Sequence, residues 1–183
     1  MKPSFYIASR LENAAAVRAL VAQLTSWGWV QSYDWTAHGS VQAGGEARIR
    51  EVALLETRGV LRADLVIVLL PGGRGTHTEL GIALGSGKRV ILVAYFGEDL
   101  DEKGRTCAFY LHSHVTIVRD AARLEWFLRK QMSLVLRSKR AKKAAVTRAR
   151  QAAEAAAARR IRKNDRRPRT PDGRVYSRKV RRG

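Results

Sequence analysis

Residues 65–81 read LVIVLLPGGRGTHTELG, and this stretch decides the fold. It begins with an uninterrupted apolar run, Leu65–Leu70, which is bounded by Pro71 and two glycines. Such a run is typical of a parallel strand that is buried on both faces. The segment after the glycines, Thr76–Ser86, is predicted to be a helix, because Glu79–Leu84 has apolar residues at helical spacing. A strand, a glycine turn and a helix bring backbone N–H groups and a helix N-terminus to the carboxyl edge of a sheet, where α/β folds bind ligands, and phosphate most often.

Glu79 is the one carboxylate at the start of this predicted helix. Its position at the ligand-binding edge makes it the first candidate for a catalytic residue. The alternative interpretation is that Glu79 only complements the helix dipole, as acids in a first helical turn commonly do.

Four more strands and three more helices are predicted on either side of this stretch. The predicted strands are Ser4–Ser9, Val30–Trp35, Asp64–Leu70, Lys88–Tyr95 and His114–Val118, and the predicted helices are Asn13–Trp27, Glu46–Arg62, Thr76–Ser86 and one from Asp120 to Leu136. Gly97–Gly104 is predicted to be an acidic loop. Because strands alternate with helices, the pattern indicates βαβ units and an α/β domain with a mainly parallel five-stranded sheet.

The basic charge of the chain is concentrated at its C-terminal end. From residue 137 onward there are 19 Lys and Arg residues and three acids, a net charge of +16, whereas residues 1–136 carry a net charge of only +3. We therefore predict a folded domain, 1–136, and a basic tail, 137–183. Arg137–Arg162 is predicted to be helical because it is rich in Ala, Lys and Arg, and Asn164–Gly183 is predicted to be disordered. The tail could bind nucleic acid or another polyanion through phosphate contacts, or serve only as a solvated extension.

A single cysteine, Cys107, excludes an internal disulfide and indicates a reducing compartment. Its apolar neighbours predict that it packs rather than reacts. No stretch approaches the length of about 20 apolar residues that a membrane span needs, and the N-terminus lacks the pattern of a secretion signal. We therefore predict a cytoplasmic protein without a membrane partner. The four histidines show no metal-ligand spacing and no redox motif is present, so neither a metal nor another cofactor is expected.

Three sequence blocks carry a resemblance to a known family. FYIAS at residues 5–9, ETRGVLRADLVIVLL at 56–70 and GTHTELGIAL at 75–84 occur in the order, and at about the spacing, of the nucleoside 2-deoxyribosyltransferase family, which includes the 2′-deoxynucleoside 5′-monophosphate N-glycosidases. The chain resembles this family over residues 4–118. The resemblance implies a flavodoxin-like, doubly wound fold and a retaining, two-step reaction at the anomeric carbon of a deoxyribose. It also implies a homo-oligomer whose neighbouring subunits complete the site.

The resemblance implies three catalytic residues. The family nucleophile falls on Glu79, which a helix N-terminus is expected to keep ionised. A carboxylate suits this role because it is nucleophilic and its glycosyl ester remains labile. The family tyrosine falls on Tyr6, which could aim the nucleophile or be a core aromatic. Glu56 stands where the family usually has aspartate, and it could protonate the leaving base or be an exposed helix acid near Arg58 or Arg62.

Substrate contacts are expected from the loops at the same edge. Where the transferases commonly have aspartate and the monophosphate glycosidases serine, this chain has Gly73. A 5′-phosphate could accept hydrogen bonds from the backbone N–H groups of the turn and a bidentate contact from the Arg74 guanidinium. Arg74 could equally be a surface residue. His77 could act on the base or be structural, and Asp34 could touch the ligand or cap a turn. The full set of candidate binding residues is Ser9, Asp34, Gly72, Gly73, Arg74, Gly75, Thr76 and His77.

The sequence therefore favours an enzyme that cleaves or transfers at the N-glycosidic bond of a 2′-deoxynucleoside or its 5′-monophosphate. One alternative is a module that binds the nucleotide without turnover and is tethered to nucleic acid by its basic tail. Another is a structural factor that acts mainly by binding polyanions. The presence of Tyr6, Glu56 and Glu79 together favours the enzyme, whereas Gly73 favours the binding module.

Overall fold

The computed structural model describes residues 2–94, 106–165 and 171. The strands are β1 (Ser4–Ala8), β2 (Val30–Gln31), β3 (Leu65–Leu69), β4 (Arg89–Val93) and β5 (Val115–Val118). The helices are α1 (Ala14–Ser26), α2 (Gly45–Arg62), α3 (Arg74–Gly85) and α4 (Ala121–Asp165). The end of the predicted strand at Tyr95, the predicted acidic loop Gly97–Gly104 and most of Asn164–Gly183 lie outside the described residues.

The five strands form one sheet in the order β2-β1-β3-β4-β5. All four neighbouring pairs are parallel, with Phe5 opposite Leu65, Leu65 opposite Arg89 and Val90 opposite Val115. This strand order is that of flavodoxin-like, doubly wound domains. The predicted fold class is therefore confirmed.

The core lies on both faces of the three central strands. Every residue of β3 is buried, as is every residue of β1 after Ser4 and of β4 after Arg89. Each helix contributes its apolar stripe to this core. The buried helical residues are Val17, Leu20 and Leu24 of α1, Val52 and Val60 of α2, Leu80 and Ala83 of α3, and Leu124 and Leu128 of α4. This packing fixes the sheet edge at which the loops after β1 and β3 meet.

Strand β2 is four residues shorter than the sequence predicted. Its pairing with β1 continues as far as Ser32, whose N–H donates to Phe5 O at 2.8 Å. A 3-10 turn, Trp35–Ala37, then replaces the expected strand. The cause is the indole of Trp35, which is buried and donates from Nε1 to Ile7 O at 2.7 Å. The side chain therefore packs onto the end of β1 while its backbone leaves the sheet.

The chain divides into two compact units, Met1–Arg137 and Ser138–Gly183. In the second unit, every described residue from 140 to 162 is exposed. That range holds eight Lys and Arg residues and a single acid, Glu154, which pairs with Arg150 at 2.8 Å. Along the described ranges of the chain, no helix combines the length and the apolar character that crossing a membrane requires.

Candidate active site

A cavity of about 370 Å³ lies at the carboxyl edge of the sheet, where the loops after β1, β2 and β3 meet. Chain order reverses between β1 and β3, and ligands of doubly wound folds bind at this switch point. We call it the carboxyl-edge cavity. Its lining comprises Ser9, Arg10 and Leu11 after β1, Trp35 and residues 38–42 after β2, Glu56 of α2, and Gly73, Gly75, Thr76 and Glu79 around the start of α3.

Tyr6 and Glu79 form a buried pair, of which Glu79 lines this cavity. The Tyr6 hydroxyl donates a hydrogen bond to Glu79 Oε1. Tyr6 is fully buried and Glu79 is 6% exposed. Burial, together with the charges of Glu79 and Glu56, raises the pKa of Tyr6 far above its ordinary value, so its hydroxyl keeps the proton and serves as a donor. The structure thus brings together two of the three predicted catalytic residues.

Burial opposes the expected effect of the helix N-terminus on the ionisation of Glu79. Burial raises the pKa of Glu79 to about 8, the Tyr6 hydrogen bond opposes this rise, and the charge of Glu56 adds to it. Helix α3 begins at Arg74 rather than at Thr76, so Glu79 lies in the second turn. The field of the helix N-terminus falls off within the first turn, and burial therefore dominates.

Glu56 lines the same cavity from α2 and is half-buried. Burial raises its pKa, and the nearby His38 opposes this rise. Neither Arg58 nor Arg62 is among the causes of the shift. A carboxyl group that holds its proton at higher pH than usual is suited to protonate a leaving group.

His38 was not singled out as a ligand-binding residue by the sequence, yet it lines the cavity beside Glu56. Its Nδ1 lies 3.1 Å from Gly39 O, which can only accept, so Nδ1 carries a proton. Its Nε2 is buried and has no hydrogen-bond partner among the described residues. The only sequence signal was its place in a polar loop that follows β2 and therefore reaches the same sheet edge.

The glycine turn before α3 closes on Thr76. The Gly73 N–H donates to Thr76 Oγ1 at 3.1 Å, so this N–H is already used within the protein. The first hydrogen bond within the helix runs from His77 N–H to Gly73 O at 3.2 Å. The backbone N–H groups of Arg74, Gly75 and Thr76 precede it and therefore have no acceptor within the helix. A Cβ on Gly72 would lie 2.9 Å from Thr76 Cγ2, so this position requires glycine.

Four of the predicted binding residues, Asp34, Gly72, Arg74 and His77, do not line the cavity. Arg74 is exposed. His77 is held between Gly73 O and the Tyr110 hydroxyl, each 2.7 Å from one of its ring nitrogens, and its ring stacks on Tyr110. Asp34 caps the turn Trp35–Ala37 by accepting from the N–H and hydroxyl of Thr36 at 3.0 and 2.7 Å. Ligand contacts by these four residues stay predictions.

Ser9 and Asn13 tie the loops of the site together. The Ser9 hydroxyl donates to Leu69 O at 2.7 Å, and Asn13 Nδ2 donates to Ser9 Oγ at 2.9 Å and to Pro71 O at 3.0 Å. The next residue, Arg10, lines the cavity where Arg74 was expected to supply the positive charge. It pairs with Glu12 only at 3.7 Å, and both side chains are largely exposed. Its position directly after β1 was the signal that could have identified it.

Gly59 of α2 sets the position of Tyr6. A Cβ on Gly59 would lie 2.9 and 3.0 Å from two atoms of the Tyr6 ring and 2.7 Å from Tyr33 Cβ. Because Gly59 has no side chain, helix α2 can pack this close to β1. Among the described residues, no group of three or more His, Cys, Asp or Glu side chains could hold a metal ion.

The fold and the site together define a flavodoxin-like α/β protein. Its buried Glu79 carboxyl group accepts a hydrogen bond from a tyrosine and lines a cavity where the strand order of the sheet reverses. Neither protein-family models nor curated protein sequences match this chain. Among solved structures, the chain is similar to the CMP N-glycosidase BcmB of Clostridium botulinum, with a TM-score of 0.47 and 22% sequence identity. That match covers 69% of this chain and 97% of the other.

Proposed function

We propose that this protein is an enzyme that breaks the N-glycosidic bond of a 2′-deoxynucleoside or its 5′-monophosphate, and that it does so through a covalent glycosyl ester on Glu79. The sugar then passes to water or to a second base. The observation that carries the proposal is the hydrogen bond from Tyr6 to Glu79, whose side chain lines the same cavity as Glu56. The sequence resemblance assigned roles to the same three residues.

The reaction uses two carboxyl groups in turn. A Glu79 oxygen attacks C1′ of the sugar while the bond from C1′ to the base nitrogen breaks, and that nitrogen takes the electron pair and a proton from Glu56. In the second step water attacks C1′, Glu56 takes a proton from the water, and the Glu79 carboxylate leaves. The Glu56 proton is restored, and both steps balance as in a retaining glycosidase.

The active form of the carboxyl pair holds one proton. Glu79 must be ionised to attack, and Glu56 must be protonated to serve as the acid. Because the charge of Glu56 raises the pKa of Glu79, the two groups disfavour the doubly ionised state. The Tyr6 hydroxyl favours the required arrangement, since its hydrogen bond is the interaction that lowers the pKa of Glu79. Tyr6 therefore orients the nucleophile and stabilises its charge.

Two groups on the cavity wall fit the remaining parts of a nucleotide. Arg10 lies beside the turn that begins α3, since a Cβ on Gly73 would be 3.8 Å from Arg10 Cβ. A 5′-phosphate bound by Arg10 and by the N–H groups of Gly75 and Thr76 would combine a guanidinium with a helix N-terminus. The buried Nε2 of His38 would then form a hydrogen bond with a polar atom of the base or the sugar.

Base release tests the proposal directly. The purified protein is incubated with the four deoxynucleosides and, separately, with their 5′-monophosphates, and the free base is quantified by chromatography. We expect release by the wild type and none by Glu79→Gln. Acid quenching followed by mass spectrometry should find the sugar or sugar phosphate on the peptide that contains Glu79. Glu46→Gln, which changes an exposed acid on α2, is the matched control.

A binding module without turnover is the alternative function. Gly73 favours it, because a residue that the resemblance associates with substrate contact is absent. The pKa of about 8 for Glu79 also favours it, because the nucleophile is mostly protonated at neutral pH. Saturable binding of a monophosphate without any base release, from pH 6 to pH 9, would support the module and exclude the enzyme.

The basic second unit supports a further part of the proposal, that residues 137–183 contact nucleic acid through phosphates. Its exposed Lys and Arg residues outnumber its acids along the described helix. Such contacts are independent of base sequence. A cytoplasmic location and a homo-oligomeric state complete the proposal, and gel filtration with light scattering tests the oligomeric state.

A further inference from the structure

A second cavity, of about 260 Å³, lies at the amino edge of the sheet. Its walls include Leu65 at the start of β3, residues 89–91 at the start of β4, and Ser113, His114 and Thr116 around the start of β5. Because the strands are parallel, this edge is opposite to the one that carries Glu79. We call it the amino-edge cavity.

Gln131 of α4 supplies an unpartnered polar group to this cavity. The side chain is only 8% exposed, and its Oε1 has no hydrogen-bond partner among the described residues. The opposite amide orientation would leave a donor unpaired instead. An unpaired buried polar atom destabilises a protein unless a ligand or water satisfies it. A ligand hydroxyl could do so in either orientation, since it both donates and accepts.

The charges around the amino-edge cavity favour an anion. Arg89 and His114 line it, and its lining includes no Asp or Glu. Arg89 is exposed and has no ion-pair partner among the described residues. The neighbouring Lys88 is engaged elsewhere, because its Nζ donates to Leu61 O and Ala63 O at 2.7 and 2.8 Å. The guanidinium of Arg89 is therefore the permanent positive charge available to a ligand here.

We propose that the amino-edge cavity binds a small hydroxylated anion, with its phosphate or carboxylate on Arg89 and its hydroxyl group on Gln131. The volume lies below the range of about 300–1,000 Å³ that is typical of pockets for drug-sized ligands, so the ligand is smaller than a nucleotide. The proposal does not depend on the chemistry of Glu79.

The test is a titration of the ¹⁵N-labelled full chain, followed by two-dimensional NMR at about 150 mM NaCl, where exposed charges are screened. The probes are glycerol 3-phosphate, inorganic phosphate and glycerol. We expect glycerol 3-phosphate to give saturable shifts in the Gln131 side-chain amide and in the backbone amides of Gly87 and Val90. Inorganic phosphate should bind more weakly, and glycerol should not bind.

Two variants and a control separate this site from general anion binding. Arg89→Gln should weaken the binding of glycerol 3-phosphate by about tenfold or more, because it removes a charge-assisted hydrogen bond. Arg18→Gln, which removes the same charge from an exposed site on α1, should leave the affinity unchanged. Gln131→Leu should weaken the binding of glycerol 3-phosphate but not that of inorganic phosphate. It should also raise Tm, because no unpaired amide remains.

Three outcomes would overturn the proposal. The first is that shifts occur only in residues 138–165 or around Glu79. The second is that Arg89→Gln binds as well as Arg18→Gln. The third is that phosphate and glycerol 3-phosphate bind with equal affinity, which would show that Gln131 recognises no hydroxyl group.

Discussion

The Tyr6 hydroxyl donates a hydrogen bond to Glu79 Oε1 across 73 positions of the chain. The two residues meet because β1 and β3 are neighbours in the sheet and α3 returns across the end of β1. Both are buried, so their interaction is shielded from water and stronger than it would be at the surface. The ionisation of Glu79 therefore depends on Tyr6.

Tyr6→Phe should shift the pH dependence of base release. The hydrogen bond from Tyr6 lowers the pKa of Glu79, so its loss raises that pKa further above 8. The rising limb of kcat/KM should move to higher pH, and the rate at pH 7 should fall by about 10- to 100-fold, as expected for the loss of a hydrogen bond of about 1.5–3 kcal/mol to a charged group. Tyr33→Phe is the control, and an unchanged profile in Tyr6→Phe would contradict the assigned role.

Glu79→Gln should stabilise the protein in a pH-dependent way. The folded pKa of about 8 exceeds the ordinary value of 4.5, so the folded state binds the proton more tightly than the unfolded state. Wild-type stability therefore decreases as the pH rises from about 4.5 to 8, whereas glutamine avoids this loss. We expect a gain on the order of a few kcal/mol at pH 8 and little gain near pH 5. Urea unfolding across this range measures it.

Glu46→Gln is the control for this stability measurement, since Glu46 is an exposed acid at the start of α2. Its difference from the wild type should stay small and nearly constant with pH. A gain for Glu79→Gln that does not vary with pH would show that burial does not raise the pKa of Glu79.

Most of the fold could be predicted from the sequence because its signals are local. The apolar run of β3 and the glycine turn after it specify a buried strand and a helix, and both are present. The end of β2 could not be predicted, because Trp35 leaves the sheet to satisfy its indole N–H at Ile7 O. That choice depends on a neighbouring strand 28 positions away in the sequence.

The candidate site was predictable only in part. Tyr6, Glu56 and Glu79 were identified through motif resemblance. Arg10 and His38 were missed because lining a cavity depends on how loops from different strands meet. The rise in the pKa of Glu79 was not anticipated, for a related reason. The sequence showed a carboxylate near a helix start, but it did not show that the side chain is 6% exposed.

Gly59→Ala should disturb the position of Tyr6. The new methyl group would lie within 3.0 Å of the Tyr6 ring and of Tyr33 Cβ, so α2 must move away from β1. We expect a loss of about 1–3 kcal/mol in the free energy of unfolding, as for overpacked cores, together with lower kcat. Gly81→Ala on α3 is the matched control, since nothing lies within 4 Å of the added Cβ. That helical substitution should stabilise the protein by about 0.5–1 kcal/mol.

Gly73→Asp should fold normally and change the substrate preference. An added Cβ at this position meets only Arg10 Cβ at 3.8 Å, an ordinary contact, so the stability should change by less than about 0.5 kcal/mol. The new carboxylate would lie at the proposed phosphate position. We expect kcat/KM for monophosphates to fall more than kcat/KM for nucleosides.

Gly73→Ser provides the uncharged comparison, and it should retain monophosphate activity. If Gly73→Asp lowers kcat/KM equally for monophosphates and for nucleosides, then the phosphate does not bind beside residue 73. Gly72→Ser is the steric control, because its Cβ would lie 2.9 Å from Thr76 Cγ2. It should lower Tm.

Replacing Arg140, Lys142 and Lys143 with Gln should weaken binding to double-stranded DNA or RNA and make it less sensitive to salt. These residues lie on the described part of the second unit, where all side chains from 140 to 162 are exposed. Each phosphate contact releases counterions, so the slope of log K against log salt should decrease by up to about 0.9 for each residue removed from a DNA contact. Fluorescence anisotropy at several salt concentrations measures the slope.

The matched control for the basic second unit replaces three exposed arginines of the first unit, Arg18, Arg58 and Arg62, with Gln. It removes the same charge and should leave the slope nearly unchanged. Base release should be the same in both triple variants, because neither changes a residue that lines the carboxyl-edge cavity. If the control lowers the slope as much as the tail variant does, then nucleic acid contacts the first unit, and the second unit has no special part in binding.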